Sequence, residues 1–183
     1  MNENDFCVEE QIDSEEQIEN GVVDKIVRFL KLNSTKADTI LEDEDKTEKM
    51  LQKLEKKLST VPIAGSILAY IPVMISLVRN YVKKEYTDIP RGSMVAIVIT
   101  LIYSVSPIDI IPDILPGGLV DDALIISGCL VLVKKDLTAY QAWRKEKGFE
   151  YEELPDYEDV TKDSNIGNKI VKAFEDAVAK FKK

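Results

Sequence analysis

Ser106–Asp122 reads SPIDIIPDILPGGLVDD. Three prolines, two glycines and four aspartates stand between two apolar runs. Ser106 followed by Pro107, with Asp109 three residues on, has the chemistry of a helix start: a hydroxyl cap, a proline whose missing N–H costs nothing there, and a carboxylate at the positive helix end. Ile111-Pro112 ends that turn, and Pro116-Gly117-Gly118 reverses the chain. Asp121 and Asp122 then open the next helix. The stretch therefore predicts a helical hairpin joined by a Pro/Asp-rich loop.

The arms of the hairpin follow from hydropathy. Ser93–Val105, with Ile97, Val98, Leu101 and Ile102, is apolar on nearly every face, as is Ala123–Val133. Such helices belong in a core or in lipid. The second arm continues with one wet face, since Leu137, Tyr140 and Trp143 recur every three residues among lysines, and Gly148 ends it. Ile89-Pro90 favours a helix start just after it. Upstream, Val61–Val78 is uncharged and interrupted by Pro62, Gly65 and Pro72, which predicts a broken helix. Met50, Leu51, Leu54, Leu58 and Val61 form an amphipathic stripe, and Val22–Leu30 a shorter one. Asn33–Lys46 reads as a polar linker and Met1–Asn20, with eight acidic residues and no basic one, as a disordered acidic tail without the features of a secretory signal. Ile166, Ile170, Val171, Phe174, Val178 and Phe181 make a last amphipathic helix. No run alternates as a strand does, so the fold class is all-α.

Composition excludes several functions. There is no histidine, which removes Ser-His-Asp and Cys-His catalysis and any His-ligated metal. A net charge of −9 argues against non-specific nucleic-acid binding. Cys7 and Cys129 are far apart in unlike surroundings, which suits a reducing, cytosol-facing compartment.

The aspartates support two accounts. Asp109, Asp113, Asp121 and Asp122 can each be a cap or turn former. Alternatively the hairpin gathers them into a metal site for Mg or Ca, because no basic residue between Arg91 and Lys134 neutralises them. Their spacing matches no defined metal motif, and no catalytic residue and no organic cofactor is predicted.

These residues carry a resemblance. Tyr103, Ser106-Pro107-Ile108-Asp109, Ile111-Pro112-Asp113, Pro116, Gly118 and Asp121-Asp122 resemble the YkvA-like bacterial family of unknown function, DUF1232. Tyr86, Ile89-Pro90, Asp136-Leu137, Tyr140 and Trp143 fit the same pattern. The chain departs from it at Gly117-Gly118, where relatives carry a bulkier residue before a single glycine. The resemblance implies a helical hairpin, assignment to membranes as a multi-pass segment, no established activity, and Ser106, Pro107, Pro112, Pro116 and Gly118 as the structural motif. The resemblance covers about Val78–Trp143 and nothing outside it; with the composition shifts, the chain divides into an acidic tail with amphipathic helices (1–60), a YkvA-like helical domain (61–147, core match 78–143), and an acidic linker with a C-terminal amphipathic helix (148–183).

Two readings of the hairpin compete. Arg79, Lys83, Lys84 and Arg91 precede the first arm and Lys134, Lys135, Arg144, Lys145 and Lys147 follow the apolar part of the second, a positive-inside pattern with both ends cytoplasmic. Yet the first arm, at about 15 residues and ~22 Å, falls short of the ~20 residues that a hydrocarbon core demands. The alternative is a pair of core helices in a cytoplasmic soluble bundle. The leading function is thus a membrane-associated helical module without enzymatic activity that binds or scaffolds a partner. Its alternatives are a divalent-cation-binding carboxylate loop with hydrolytic activity, and a soluble helical interaction protein. Membrane lipid and a protein are the expected partners, with the lysine-bearing C-terminal helix able to lie on an anionic surface.

Overall fold

A computed structural model describes residues 3–59, 69–105, 119–150, 154, 156, 161–162 and 165–181, with backbone alone for 3–20, 22, 105 and 119–123. Among the described residues the chain is all-α, with helices α1 (Glu3–Leu41), α2 (Glu44–Leu58), α3 (Tyr70–Val82), α4 (Arg91–Val105), α5 (Leu119–Glu146) and α6 (Asn165–Val178), the last running into a 3₁₀ turn at Ala179–Phe181.

The centre is α4. Every side chain from Met94 to Leu101 is fully buried. Eight consecutive residues can be buried only if a helix is surrounded, and α4 packs against α1, α2, α3, α5 and α6. Its apolar surface therefore meets protein on all sides, and each large aliphatic side chain so buried stabilises the fold by roughly 1.5–3 kcal/mol. Thr100, the hydroxyl within this run, donates to the Ala96 carbonyl at 3.0 Å, which satisfies it inside the helix.

Helix α5 runs antiparallel to α4. Thr100 lies beside Cys129, whereas Gly92 and Ser93 share a crevice with Val131, Leu132, Lys135 and Asp136. The two arms of the expected hairpin are thus paired. The loop that joins them, 106–118, lies outside the described residues.

Several boundaries differ from expectation. The expected linker at Asn33–Lys46 is helical up to Leu41. Leu30, Ser34, Ala37 and Leu41 are spaced 4, 3 and 4 apart and are all buried. Ser34 and Ala37 do not read as a hydrophobic stripe, but small residues let a neighbouring helix approach. The expected disordered tail is helical from Glu3; glutamates and glutamines favour helix, and carboxylates suit its N-terminal end. Arg79–Arg91 reads from sequence as a basic, polar connector, but α3 continues to Val82, so its first four residues are helical. Pro72 falls in the first turn of α3, where it is tolerated, and Pro62 and Gly65 lie outside the described residues.

Other expectations hold. Helix α4 starts just after Pro90, whose carbonyl accepts from the Met94 N–H. Gly148 closes α5 with a φ of 75°. Gly148 N–H bonds Lys145 O and Phe149 N–H bonds Arg144 O, the Schellman pattern. The last helix is amphipathic, but its apolar face is spent on the core, with Ile170 and Phe174 fully buried and α6 packed on α1 and α5. That apolar face is therefore not free to lie on a lipid surface.

Candidate functional site

The carboxylate loop meets the described structure only at its end. Asp121 and Asp122 are the third and fourth residues of α5. Asp109 and Asp113, and with them Ser106, Pro107, Pro112, Pro116 and Gly118, lie outside the described residues. Among the described residues no group of three or more His, Cys, Asp or Glu is placed to hold a metal ion.

The aromatic residues that flank the loop motif are brought together. Tyr86, Tyr140 and Trp143 form one cluster: Tyr86 is 5.1 Å from both other rings, and Tyr140 stacks on Trp143 at 5.7 Å. Phe149 extends it at 5.7 Å from Trp143. Helical spacing puts Tyr140 and Trp143 on one face of α5, and the turn after α3 carries Tyr86 onto it. The Tyr140 ring is fully buried. Its hydroxyl lies 2.7 Å from Ser76 Oγ and accepts from Asn80 Nδ2 at 2.9 Å. Burial raises the Tyr140 phenol above its usual range, against the hydrogen bonds with Ser76 and Asn80. It therefore stays neutral at pH 7 and acts as a hydrogen-bond anchor rather than a base. Tyr103 packs edge-on against Phe29 of α1 at 5.7 Å.

A cleft of about 710 Å³ adjoins this cluster, lined among others by Ser76, Arg79, Gln141, Arg144 and Glu150. Arg79 is committed to structure. Its Nε and Nη2 grip Glu48 at 3.0 and 3.1 Å, and its Nη1 and Nη2 grip Glu55 at 3.0 Å each. Arg91 is likewise held by Asp38, at 2.8 Å from Nε and 2.7 Å from Nη2. Two of the four basic residues that precede the first arm thus pair within the fold, which weakens the positive-inside pattern as a topology signal. Burial pushes the Cys129 thiol up to about 12, so it is no nucleophile at neutral pH.

Sequence reasoning missed the way α2 divides its charges. Glu48 and Glu55 turn to Arg79, and Lys46, Lys49, Lys53 and Lys57 line the opposite side, over a groove shared with α1. The 3- and 4-residue spacing of those lysines was the available signal. That α1 supplies the other wall was not legible.

No described helix is long and apolar enough to cross a membrane. The multi-pass expectation therefore finds no spanning helix among the described residues, because the apolar runs are short and α4 is enclosed by other helices.

A family model described as a protein of unknown function (DUF1232) matches residues 93–128, which cover α4, the carboxylate loop and the start of α5. The chain is also 30% identical over 78 residues to the "Uncharacterized membrane protein YkvA" of Bacillus subtilis (strain 168), a match that spans 42% of this chain and 74% of that relative. No solved structure matches. The family-model match and this relative together identify the chain as a member of the DUF1232 family, whose function is unknown.

Proposed function

We propose that this chain is a membrane-associated helical module without enzymatic activity, which docks on the cytoplasmic face of a bilayer and binds or scaffolds a partner there. The observation that carries this reading is the relationship to a protein described as a membrane protein over most of that relative's length. The burial of α4 shapes it. With the most apolar helix enclosed by five others, contact with a membrane falls to the outer surface of the bundle. The histidine-free chain, the neutral Tyr140 and the buried Cys129 support a binding role over a catalytic one.

Cell fractionation tests the reading. The full chain is expected in the membrane fraction at physiological salt and is expected to be released by a carbonate wash. Recovery in the supernatant before any wash favours the soluble interaction protein. Retention through carbonate favours a hairpin that inserts.

A further inference from the structure

The groove between α1 and α2 holds about 660 Å³ and is lined by Lys36, Lys46, Lys49, Lys53 and Lys57 over a floor of Ile40, Met50 and Ile102. Among the described residues no acidic residue lines it. Lys46 pairs with Asp43 at 2.8 Å, and Lys57 donates to the Ser104 carbonyl at 2.8 Å. Among the described residues no carboxylate pairs with Lys36, Lys49 or Lys53. Five lysines around an apolar floor are conspicuous in a chain whose net charge is −9.

The basic surface continues along α1. Lys25, Arg28, Leu32 and Lys36 recur three or four residues apart, so they share one helix face, and all are exposed. Leu32 is 67% exposed. An exposed leucine one turn from a lysine groove is the arrangement of a surface that meets anionic headgroups and inserts one apolar side chain.

We propose that this α1–α2 face docks on an anionic phospholipid bilayer, with the lysine groove taking phosphate headgroups and Leu32 entering the interface. The proposal rests on the membrane-associated reading above and names the surface that performs it. Charge complementarity selects the occupant. The groove lysines act on headgroups within a Debye length of about 10 Å, and the acidic remainder of the chain is repelled by the bilayer and orients it. A nucleic acid fits less well, since the floor is aliphatic and offers no ring for base stacking. The family segment lies close by: Ile102 forms part of the floor, and α4 ends at Val105, next to the carbonyl that Lys57 holds.

Vesicle co-sedimentation of the full chain tests this. Wild type is expected to bind vesicles of equal parts phosphatidylglycerol and phosphatidylcholine, and to release as salt rises; pure phosphatidylcholine should bind far less. Lys36→Glu/Lys49→Glu/Lys53→Glu should weaken binding by about tenfold or more, each lysine contributing near an anionic surface. Leu32→Asn, which leaves the charge unchanged, should weaken it by about tenfold. Lys83→Glu/Lys135→Glu/Lys147→Glu makes the same charge change elsewhere and should bind nearly as wild type.

Equal loss in both triple variants overturns the groove assignment in favour of net charge alone. Vesicle binding untouched by the groove triple and by Leu32→Asn overturns it while membrane association stands. A chain that fractionates with cell membranes yet ignores lipid vesicles overturns it in favour of a protein anchor. Salt-dependent self-association without vesicles, abolished by the groove triple, assigns the groove instead to the acidic segment of a second copy.

Discussion

Gly128 of α5 lies so close to Ile170 of α6 that a Cβ added to it would come within 2.8 Å of Ile170 Cγ2. This contact joins the last residue of the family segment to a helix outside it. Cγ2 is fixed to a branched Cβ and yields little. An alanine gains about 1 kcal/mol of helix propensity, while overpacking costs about 1–3 kcal/mol. Gly128→Ala should therefore lose about 1 kcal/mol in urea unfolding. In an Ile170→Ala background the same change should cost nothing or stabilise. Additive losses in the double variant would mean that the two residues do not touch.

Gly167 is more constrained. A Cβ there would overlap the Thr161 backbone, which has no rotamer to move. Gly167→Ala is expected to cost about 3 kcal/mol, clearly more than Gly128→Ala. A smaller loss at Gly167 would show that the segment before α6 adjusts freely.

Lys84 has a φ of 60°. It follows the end of α3, where Lys84 N–H bonds Tyr81 O and Glu85 N–H bonds Asn80 O, the same closure that Gly148 makes after α5. A left-handed conformation costs a residue with a side chain about 1 kcal/mol that glycine avoids. Lys84→Gly should raise stability by about 0.5–1 kcal/mol, read as a higher urea midpoint at unchanged slope. An unchanged or lower midpoint removes this account of the turn.

The grip of Arg79 on α2 gives a pH signature. Its hydrogen bonds to Glu48 hold that carboxyl below its ordinary value of 4.5. A lowered folded-state value stabilises the fold above pH 4.5, and that contribution disappears as pH falls through the lowered value. Arg79→Met should lose about 1 kcal/mol at pH 7, since the pairs are partly exposed, and should lose less at pH 3. Arg79→Lys should recover only part of this, because an ammonium cannot reproduce the fork. Parallel stability curves from pH 7 to pH 3 would show that the pair contributes by packing alone.

The four aspartates can be tested directly. If Asp109, Asp113, Asp121 and Asp122 share a cation, millimolar Mg²⁺ or Ca²⁺ raises the melting temperature, by the equivalent of about 2.7 kcal/mol at a hundredfold excess over Kd. Asp113→Asn/Asp122→Asn then removes the shift, and monovalent salt of matched ionic strength does not reproduce it. A melting curve indifferent to divalent ions leaves the aspartates as caps, each worth about 1 kcal/mol.

What the sequence determined by itself is local. Ile89-Pro90 marks the start of α4 and Gly148 the end of α5 because proline and glycine act through their own backbone dihedrals. The all-round hydropathy of Ser93–Val105 marked a helix with no wet face, and the loop motif carried the family. Tertiary structure decided the rest. Hydropathy is the same whether a helix is wrapped in lipid or in protein, and only packing shows that α1, α2, α3, α5 and α6 enclose α4. Ser34 and Ala37 are core residues through their small size, which no hydrophobic stripe reveals. The lysines of α2 resembled an ordinary solvated face until the fold set them beside Lys36, Ile40 and Ile102, since a groove between two helices is a property of neither alone.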